Sequence, residues 1–309
     1  MSSLIECRGL VKRYGRVEAL RGLNLNIGRG ALGLIGPNAA GKSTTLKILL
    51  GLVRASGGEA KVFGLDVWRD SFAVRKRVGV LHEKPSFPGW VRGLEYVEYL
   101  ARLKGVKGAR EAALNELRSF GLENAVDRKI GTYSAGMVQR LGLAQAFVGG
   151  SELVFLDEPT ANLDPLGRAD FLEKIRERVR SLGISVVIST HILSELERVC
   201  DSVAIIYGGV CLETGGLGVL FDRYAEDVYL VESSDDGRLM EGLGKLSSVE
   251  RVWVEEGQLR VKVRNRGGFE RDLVGVAYGL GVGVRRFEPV WHSLEYVYKK
   301  VLEVKGVGA

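Results

Sequence analysis

Eight residues, Gly36-Pro37-Asn38-Ala39-Ala40-Gly41-Lys42-Ser43, constrain this chain more than any other stretch, because of what stands on either side. The apolar run Ala31-Leu32-Gly33-Leu34-Ile35 precedes them and Thr44-Thr45-Leu46-Lys47-Ile48-Leu49-Leu50 follows, so a glycine-rich turn is predicted to join a strand to a helix. In such a turn, successive backbone N–H groups and the positive end of the helix converge on negative charge, which suits a nucleotide's phosphates. Lys42 is expected to reach the outer phosphates and Ser43 to offer its hydroxyl to Mg²⁺. Gly36 and Gly41 permit backbone geometry that a Cβ would hinder.

A second acidic element lies far downstream. Leu153-Val154-Phe155-Leu156 reads as a short strand buried on both faces, and it runs into Asp157-Glu158-Pro159-Thr160. Side chains of successive strand residues point in opposite directions, so the two carboxylates cannot share one task. Asp157 is the better magnesium candidate, acting through the ion's water shell. Glu158 is then placed to polarise a water aimed at the γ-phosphate, a role worth about 10²–10⁴ in rate.

Between these elements lies Tyr133-Ser134-Ala135-Gly136-Met137-Val138-Gln139-Arg140-Leu141, and beyond them Ala161-Asn162-Leu163-Asp164 and Ile188-Ser189-Thr190-His191. In this order and spacing, from about Leu4 to Phe221, the motifs resemble the nucleotide-binding subunit of an ATP-binding-cassette transporter. The resemblance implies an α/β fold: a P-loop NTPase nucleotide-binding domain over 1–221, carrying a helical subdomain at about 84–150. It also implies roles for particular residues. Tyr14 matches an aromatic that stacks on adenine, an interaction worth about 1–3 kcal/mol per base in nucleic-acid complexes. His191 matches a histidine that contacts the γ-phosphate. Asp164 matches an aspartate facing a partner subunit. The whole stretch from Gly36 through Pro37, Asn38, Ala39, Ala40, Gly41, Lys42 and Ser43 to Thr44 is then the ATP-binding loop, with Lys42, Glu158 and His191 as the catalytic set.

Ser134 and the Gly136 N–H, with the helix expected after them, form another helix N-terminus suited to an anion. In the family this second cradle serves the ATP held by a partner. Two domains, a homodimer or a pair with a paralogous ATPase subunit, therefore face each other head to tail around two ATP. Hydrolysis removes the γ-phosphate that both were holding, and the pair opens.

Four positions depart from the family pattern. Ala39 and Ala135 stand where glycines are common, adding a methyl and restricting the backbone without removing an N–H donor. Met137 stands where many members have glutamine, though methionine is familiar in an exporter branch. Glu83 occupies the place of a glutamine that links the metal site to the membrane subunit; a carboxylate still accepts hydrogen bonds and approaches magnesium, but cannot donate as an amide does. ATPase activity is expected to survive all four.

The region 84–105 touches a permease's coupling helix in this family. Here Lys84-Pro85-Ser86-Phe87-Pro88-Gly89-Trp90 reads as an irregular loop and 91–105 as helical, with Phe87 and Trp90 either an apolar anchor for that helix or packing within their own domain. The chain's 309 residues, 46% of them hydrophobic, exceed what one cassette needs, so a further domain is expected at 222–309. Its texture predicts a strand at Val228–Val231, a helix near 238–246 and a hairpin of Val249–Val254 with Leu259–Arg264 around Glu255-Glu256-Gly257-Gln258. A helix near 269–278, a strand near 282–287 and a capped helix from Ser293 complete it. That order, β-α-β-β-α-β, suggests a small α+β, ferredoxin-like unit. The accessory domain, the Tyr-Ser-x-Gly-Met form and the Val78–Pro85 segment look most like exporters whose ATPase and permease are separate chains.

Composition sets limits on location and partners. Met1-Ser2-Ser3-Leu4-Ile5-Glu6 lacks the apolar core of a secretory signal, and the longest uncharged run near the end, Leu273–Val284, is too short for a bilayer. The three cysteines, Cys7, Cys200 and Cys211, show no metal-ligand spacing. A cytoplasmic subunit, peripheral on the inner face of the cell membrane, is expected. The net charge of +6 is interleaved with acids, as in Glu173-Lys174-Ile175-Arg176-Glu177-Arg178, which argues against specific nucleic-acid binding and for proximity to anionic lipid. Two rival readings remain: a soluble cassette ATPase acting on nucleic acid or ribosomes, which usually carries two cassettes or a coiled-coil insertion, and a catalytically weak regulatory nucleotide-binding subunit.

Overall fold

The computed structural model describes residues 3–161, 163–224, 226–255, 257–290 and 293–307. Met1 and Ser2 of the expected leaderless start, Asn162 of the 161–164 motif and Glu256 of the expected hairpin turn lie outside the described residues. The chain divides into two compact units, Met1–Leu217 and Gly218–Ala309. The division falls a few residues before the boundary expected after Phe221.

The first unit opens with the antiparallel pair β1 (Ile5–Tyr14) and β2 (Val17–Ile27), then β3 (Ala31–Ile35) and helix α1 (Lys42–Leu49). Strands β4 (Gly57–Val62) and β5 (Leu65–Asp66) follow, and complete a four-stranded sheet in the order β2-β1-β4-β5. Helix α2 (Ser71–Arg77) leads into β6 (Val78–Leu81). The chain then becomes helical through α3 (Gly93–Leu103), α4 (Ala109–Ser119) and α5 (Ala135–Phe147). It returns to the core with β7 (Leu153–Asp157), α6 (Pro165–Leu182), β8 (Ser185–Ser189), α7 (Leu193–Val199), β9 (Ser202–Tyr207) and β10 (Val210–Gly216).

The larger sheet runs β10-β9-β3-β8-β7-β6, and every neighbouring pair except β10 with β9 is parallel. The uninterrupted apolar runs explain its centre: all five residues of β3, of β7 and of β8 are buried, as strands covered on both faces require. Helix α1 packs between the two sheets, and its Leu46, Ile48 and Leu49 join the core that both sheets share. Burying each of these is worth about 1.5–3 kcal/mol. Because β6, β3, β7 and β8 are parallel, their carboxyl ends meet at one edge of the sheet, which is where open α/β sheets bind ligands.

The segment between Gly93 and Phe147 is largely helical, with α3 against α4 and α4 against α5. Salt bridges tie it together and to α6: Glu98 pairs with Arg102 and Arg110, Glu116 with Arg178, and Arg140 with Asp170. The structure separates the two aromatics of the preceding loop. Phe87 packs edge-on against Tyr96 at 5.2 Å between ring centroids, within its own unit, so it is no free anchor. Trp90 is 77% exposed.

The second unit contains α8 (Leu217–Tyr224, whose first residue closes the preceding unit), β11 (Val228–Ser233), α9 (Asp236–Leu243), β12 (Val249–Glu255) and β13 (Gln258–Val263). After these come α10 (Arg266–Leu280), β14 (Val284–Pro289) and α11 (Leu294–Val304). Its sheet is antiparallel throughout, in the order β12-β13-β11-β14. Tyr229, Val231, Val261, Phe269 and Leu273 build a separate core, with the Tyr229 ring stacked on Phe287 at 4.8 Å. The element order matches the expected β-α-β-β-α-β, but two boundaries moved. Asp235 caps α9 by accepting from the Arg238 N–H at 3.0 Å, which starts that helix earlier than 238. Val282 is buried in the turn after α10 and does not begin the last strand.

Candidate functional site

The loop after β3 turns sharply and enters α1 with Gly41 in the left-handed region, φ 109°. A side chain there is excluded twice over, since its Cβ would lie 2.7 Å from Leu20 Cδ2 and 2.9 Å from the Ala19 carbonyl oxygen. Ala39, at the first position departing from the family pattern, also has positive φ, 63°. The common glycine is thus replaced at the place where it would relieve the backbone, at a cost of about 1–2 kcal/mol for an L-residue.

Lys42 is buried, and its ammonium donates to the carbonyls of Gly36 at 2.6 Å and Pro37 at 3.1 Å. The cation is therefore held over the loop that carries it. Burial pushes its pKa below the ordinary lysine range, and the Glu158 and Asp157 carboxylates oppose that shift. Ser43 donates its hydroxyl to Asp157 Oδ1 at 3.3 Å, and the Ser189 hydroxyl donates to the same oxygen from the neighbouring strand. A hydroxyl beside a carboxylate is a hard-oxygen donor set, which suits a magnesium ion that retains most of its waters.

Glu158 leaves the end of β7 with φ 46°, a strained conformation for a residue with a side chain. Its N–H donates to the Ser189 carbonyl at 2.9 Å, so the turn is fixed against β8. His191, just past the end of β8, places Nδ1 2.9 Å from Glu158 Oε2. The adjacent carboxylates part as expected, but the cause is the positive φ of Glu158 just past the end of β7 and not strand alternation: Asp157 faces Ser43 and Glu158 faces His191.

Around these groups lies an open cleft of about 670 Å³ whose walls include Tyr14, Asn38, Ala39, Ala40, Gly41, Lys42, Ser43, Thr44, Glu83, Glu158 and His191. Residues as far apart in the chain as Tyr14 and Gly208 thereby meet around one cleft. Tyr14 is half exposed at the rim, with Lys12 Nζ 4.8 Å from its ring centre. Gly36 and Pro37 contribute the carbonyls that hold Lys42, and Asp157 reaches the cleft through Ser43.

Three more expected residues stand apart from both the cleft and its supports. Ser134 caps α5, accepting from the Met137 N–H at 3.3 Å, and Gly136 lies in that helix's first turn. Asp164 caps α6, accepting from the Gly167 N–H at 2.6 Å. Other residues line the cleft without having been singled out, among them Glu18, Arg21 and Gly208. Beside Gly208, the Gly209 N–H supports the loop by donating to the Ala40 carbonyl at 3.0 Å. Glu195 was also passed over. It is buried, accepts hydrogen bonds from Thr160 and Thr190, and burial raises its carboxyl above the usual range. Its only sequence signal is its spacing four residues after His191.

Residues 20–161 match the ABC transporter family. The chain is 38% identical over 234 residues to the daunorubicin/doxorubicin resistance ATP-binding protein DrrA of Streptomyces peucetius, spanning 75% of this chain and 71% of that one. It is 32% identical to the bacitracin transport ATP-binding protein BcrA of Bacillus licheniformis, over 83% of this chain and 91% of BcrA. Similarity extends through both units to the uncharacterized ABC transporter ATP-binding protein YxlF of Bacillus subtilis, at 32% identity over 97% of this chain and 99% of the relative. Among solved structures, an ATP-binding subunit of an ABC transporter superimposes with a TM-score of 0.65 at 29% identity, covering 72% of this chain and 93% of that one. The dimeric cassette MJ0796 shares the fold, with a TM-score of 0.64 at 23% identity over 69% of this chain and 98% of that one. A strand-loop-helix phosphate cradle, a carboxylate pair at the next-but-one strand end and these relatives together give one conclusion: the chain belongs to the ABC transporter family, as an ATP-binding subunit with ATPase activity.

Proposed function

We propose that two copies of this subunit close head to tail around two Mg-ATP and that their opening after hydrolysis drives an exporter permease carried on a separate chain. The observation that carries this reading is the place of Ser134 and Gly136. They form the N-terminus of a 13-residue helix, suited to an anion, yet they stand outside the cleft that Lys42 and Ser43 line. A second copy would bring its own triphosphate to that cradle, with Asp164 at the same face.

In this reading the loop N–H groups from Gly36 to Thr44 and the Lys42 ammonium hold the β- and γ-phosphates, and Tyr14 stacks on the base. Ser43, Asp157 and Glu83 would hold magnesium, directly or through its waters, and the donor set fits. Bound there, the ion neutralises charge on the phosphate oxygens. Glu158 orients the attacking water and accepts its proton, while His191 steadies Glu158 from one side and meets the γ-phosphate on the other. Attack on phosphorus breaks the bond to the β-phosphate oxygen and leaves ADP and phosphate.

Ser134→Arg tests the arrangement. The full-length protein carrying it should bind ATP normally, since the cleft is untouched, but nucleotide-dependent dimerisation in analytical ultracentrifugation should weaken at least roughly thirtyfold, about 2 kcal/mol. Loss of the α5 cap costs about 1 kcal/mol of folding stability and would show equally without nucleotide. Unchanged dimerisation with Mg-ATP would sink the proposal.

Export is supported by the names of DrrA and BcrA, which refer to drug resistance and to bacitracin transport. Among the described residues, no helix is long and apolar enough to cross a membrane, which fits a subunit peripheral on the cytoplasmic face. Trp90, exposed in the 84–105 segment, is the candidate anchor for the permease. Trp90→Ala should weaken co-purification with the permease by about 2 kcal/mol, the scale of an aromatic hot spot, and leave ATP affinity unaltered. Intact docking and transport in that variant would exclude Trp90 as the anchor.

A further inference from the structure

Thr160 and Thr190 are both fully buried, one two residues after Glu158 and the other immediately before His191. They come from the ends of different strands, β7 and β8, and both hydroxyls donate to one carboxylate. Thr160 Oγ1 lies 2.9 and 2.8 Å from the two oxygens of Glu195, and Thr190 Oγ1 lies 3.3 Å from the second. Glu195 itself stands on α7 and is 4% exposed. The Arg168 guanidinium on α6 lies 3.4 Å from Glu195 Oε1, close enough for charge pairing but not aligned as a hydrogen bond, and its other nitrogen donates to the Leu163 carbonyl at 3.4 Å.

We propose that Glu195 is a positioning residue for ATP hydrolysis: its carboxylate clamps the two chain segments that carry Glu158 and His191, and so sets the separation at which those side chains meet. A buried carboxylate is costly unless paired. This one has two hydroxyl donors and a nearby guanidinium, and it is not among the residues that line the cleft. The segment it grips is also held from the opposite side, where the buried Gln139 amide donates from α5 to the Pro159 carbonyl at 3.0 Å. Pro159–Thr160 is therefore fixed between the helix that begins at the second anion cradle and the helix that follows His191. Release of the Glu195 side would let Glu158, already in a strained backbone conformation, drift from the 2.9 Å contact with His191.

The inference rests on Glu158 acting as the base. Misplacing a reacting group by about 1 Å costs about 10²-fold, so Glu195→Ala in the full-length protein should lower kcat per nucleotide-binding site about thirtyfold. KM for ATP should stay within about threefold, because the Gly36–Thr44 loop is untouched. Glu195→Gln keeps the length and one acceptor for Thr160, and should recover most of the rate. Thr160→Val removes the hydroxyl proton shared between the two Glu195 oxygens while keeping the shape, and should reproduce about a tenfold loss even if Glu195→Ala folds poorly. In a Glu158→Gln background, Glu195→Ala should lower the residual rate by less than about threefold, since the group it positions is already gone.

Expressing rates per binding site separates positioning from simple unfolding, which reduces the number of sites without changing the rate of each. Wild-type kcat per site in both Glu195→Ala and Thr160→Val would overturn the proposal. So would an equal loss in the Glu158→Gln background. Full activity of Glu158→Gln alone would instead remove the base assignment, which is a different failure.

Discussion

Glu158→Gln should cut the ATPase kcat about 10²–10⁴-fold, the usual worth of a positioned base, while ATP still binds. The substitution conserves shape and removes only the negative oxygen that takes a proton. The loop carbonyls still hold Lys42, and Ser43 still meets Asp157, because neither contact involves Glu158. His191 keeps a partner, since an amide oxygen 2.9 Å away accepts from Nδ1 as the carboxylate does. With cleavage blocked and phosphate contacts intact, the variant should accumulate as an ATP-bound dimer, visible in sedimentation at saturating Mg-ATP. Turnover equal to wild type would show that the water is activated elsewhere. The strain at Glu158, φ 46°, belongs to the same expectation: strained residues persist where the surroundings fix them, and here the Ser189 carbonyl does so through the Glu158 N–H.

The second large effect is expected at the start of the phosphate loop. Gly36→Ala would place a Cβ 2.1 Å from the Ile206 carbonyl oxygen, and that obstacle is backbone near the end of β9. No side-chain rotation relieves such a contact. Either β9 or the loop must move, and β9 pairs directly with β3, whose last residue precedes the glycine. Denaturant unfolding should show a loss of at least about 3 kcal/mol, at the upper end for overpacking, and ATP binding should disappear with the loop geometry. Gly64→Ala is the control. Its φ of +76° imposes backbone strain, but nothing lies within 4 Å of its Cβ, so only about 1–2 kcal/mol is expected. Equal effects of the two variants would mean that backbone conformation, and not the contact with β9, dictates glycine at position 36.

The strand before the loop, the helix after it and the carboxylate pair were legible because each is a local pattern. Ala31–Ile35 and Leu153–Leu156 are apolar runs with no polar alternation, too short for a buried helix, and so read as strands covered on both faces. The β-α-β-β-α-β order of the second unit was readable for the same reason, from alternation and turn residues. Helix ends were less legible. Cap residues such as Asp235 are short polar side chains that look like any turn residue until their acceptor is seen bonded. Phe87 and Trp90 show the same limit: two aromatics three residues apart in one loop are equivalent in sequence, and only the position of Tyr96 makes one internal.

By itself, the sequence determined the chemistry available: a glycine-rich loop between a strand and a helix, a hydroxyl and two carboxylates, and a second helix N-terminus at Ser134 and Gly136. Those follow from residue types at fixed short spacings, where backbone geometry leaves little freedom. Tertiary structure alone decided which distant residues meet. The parallel order β3-β8-β7 brings the Ser43 and Ser189 hydroxyls onto one oxygen of Asp157, sets Glu158 against His191, and hides Glu195 beneath both strand ends. It also keeps Ser134 and Asp164 away from that cleft. Strand order is set by how apolar surfaces are buried across hundreds of residues, a sum over the whole core that no local spacing contains.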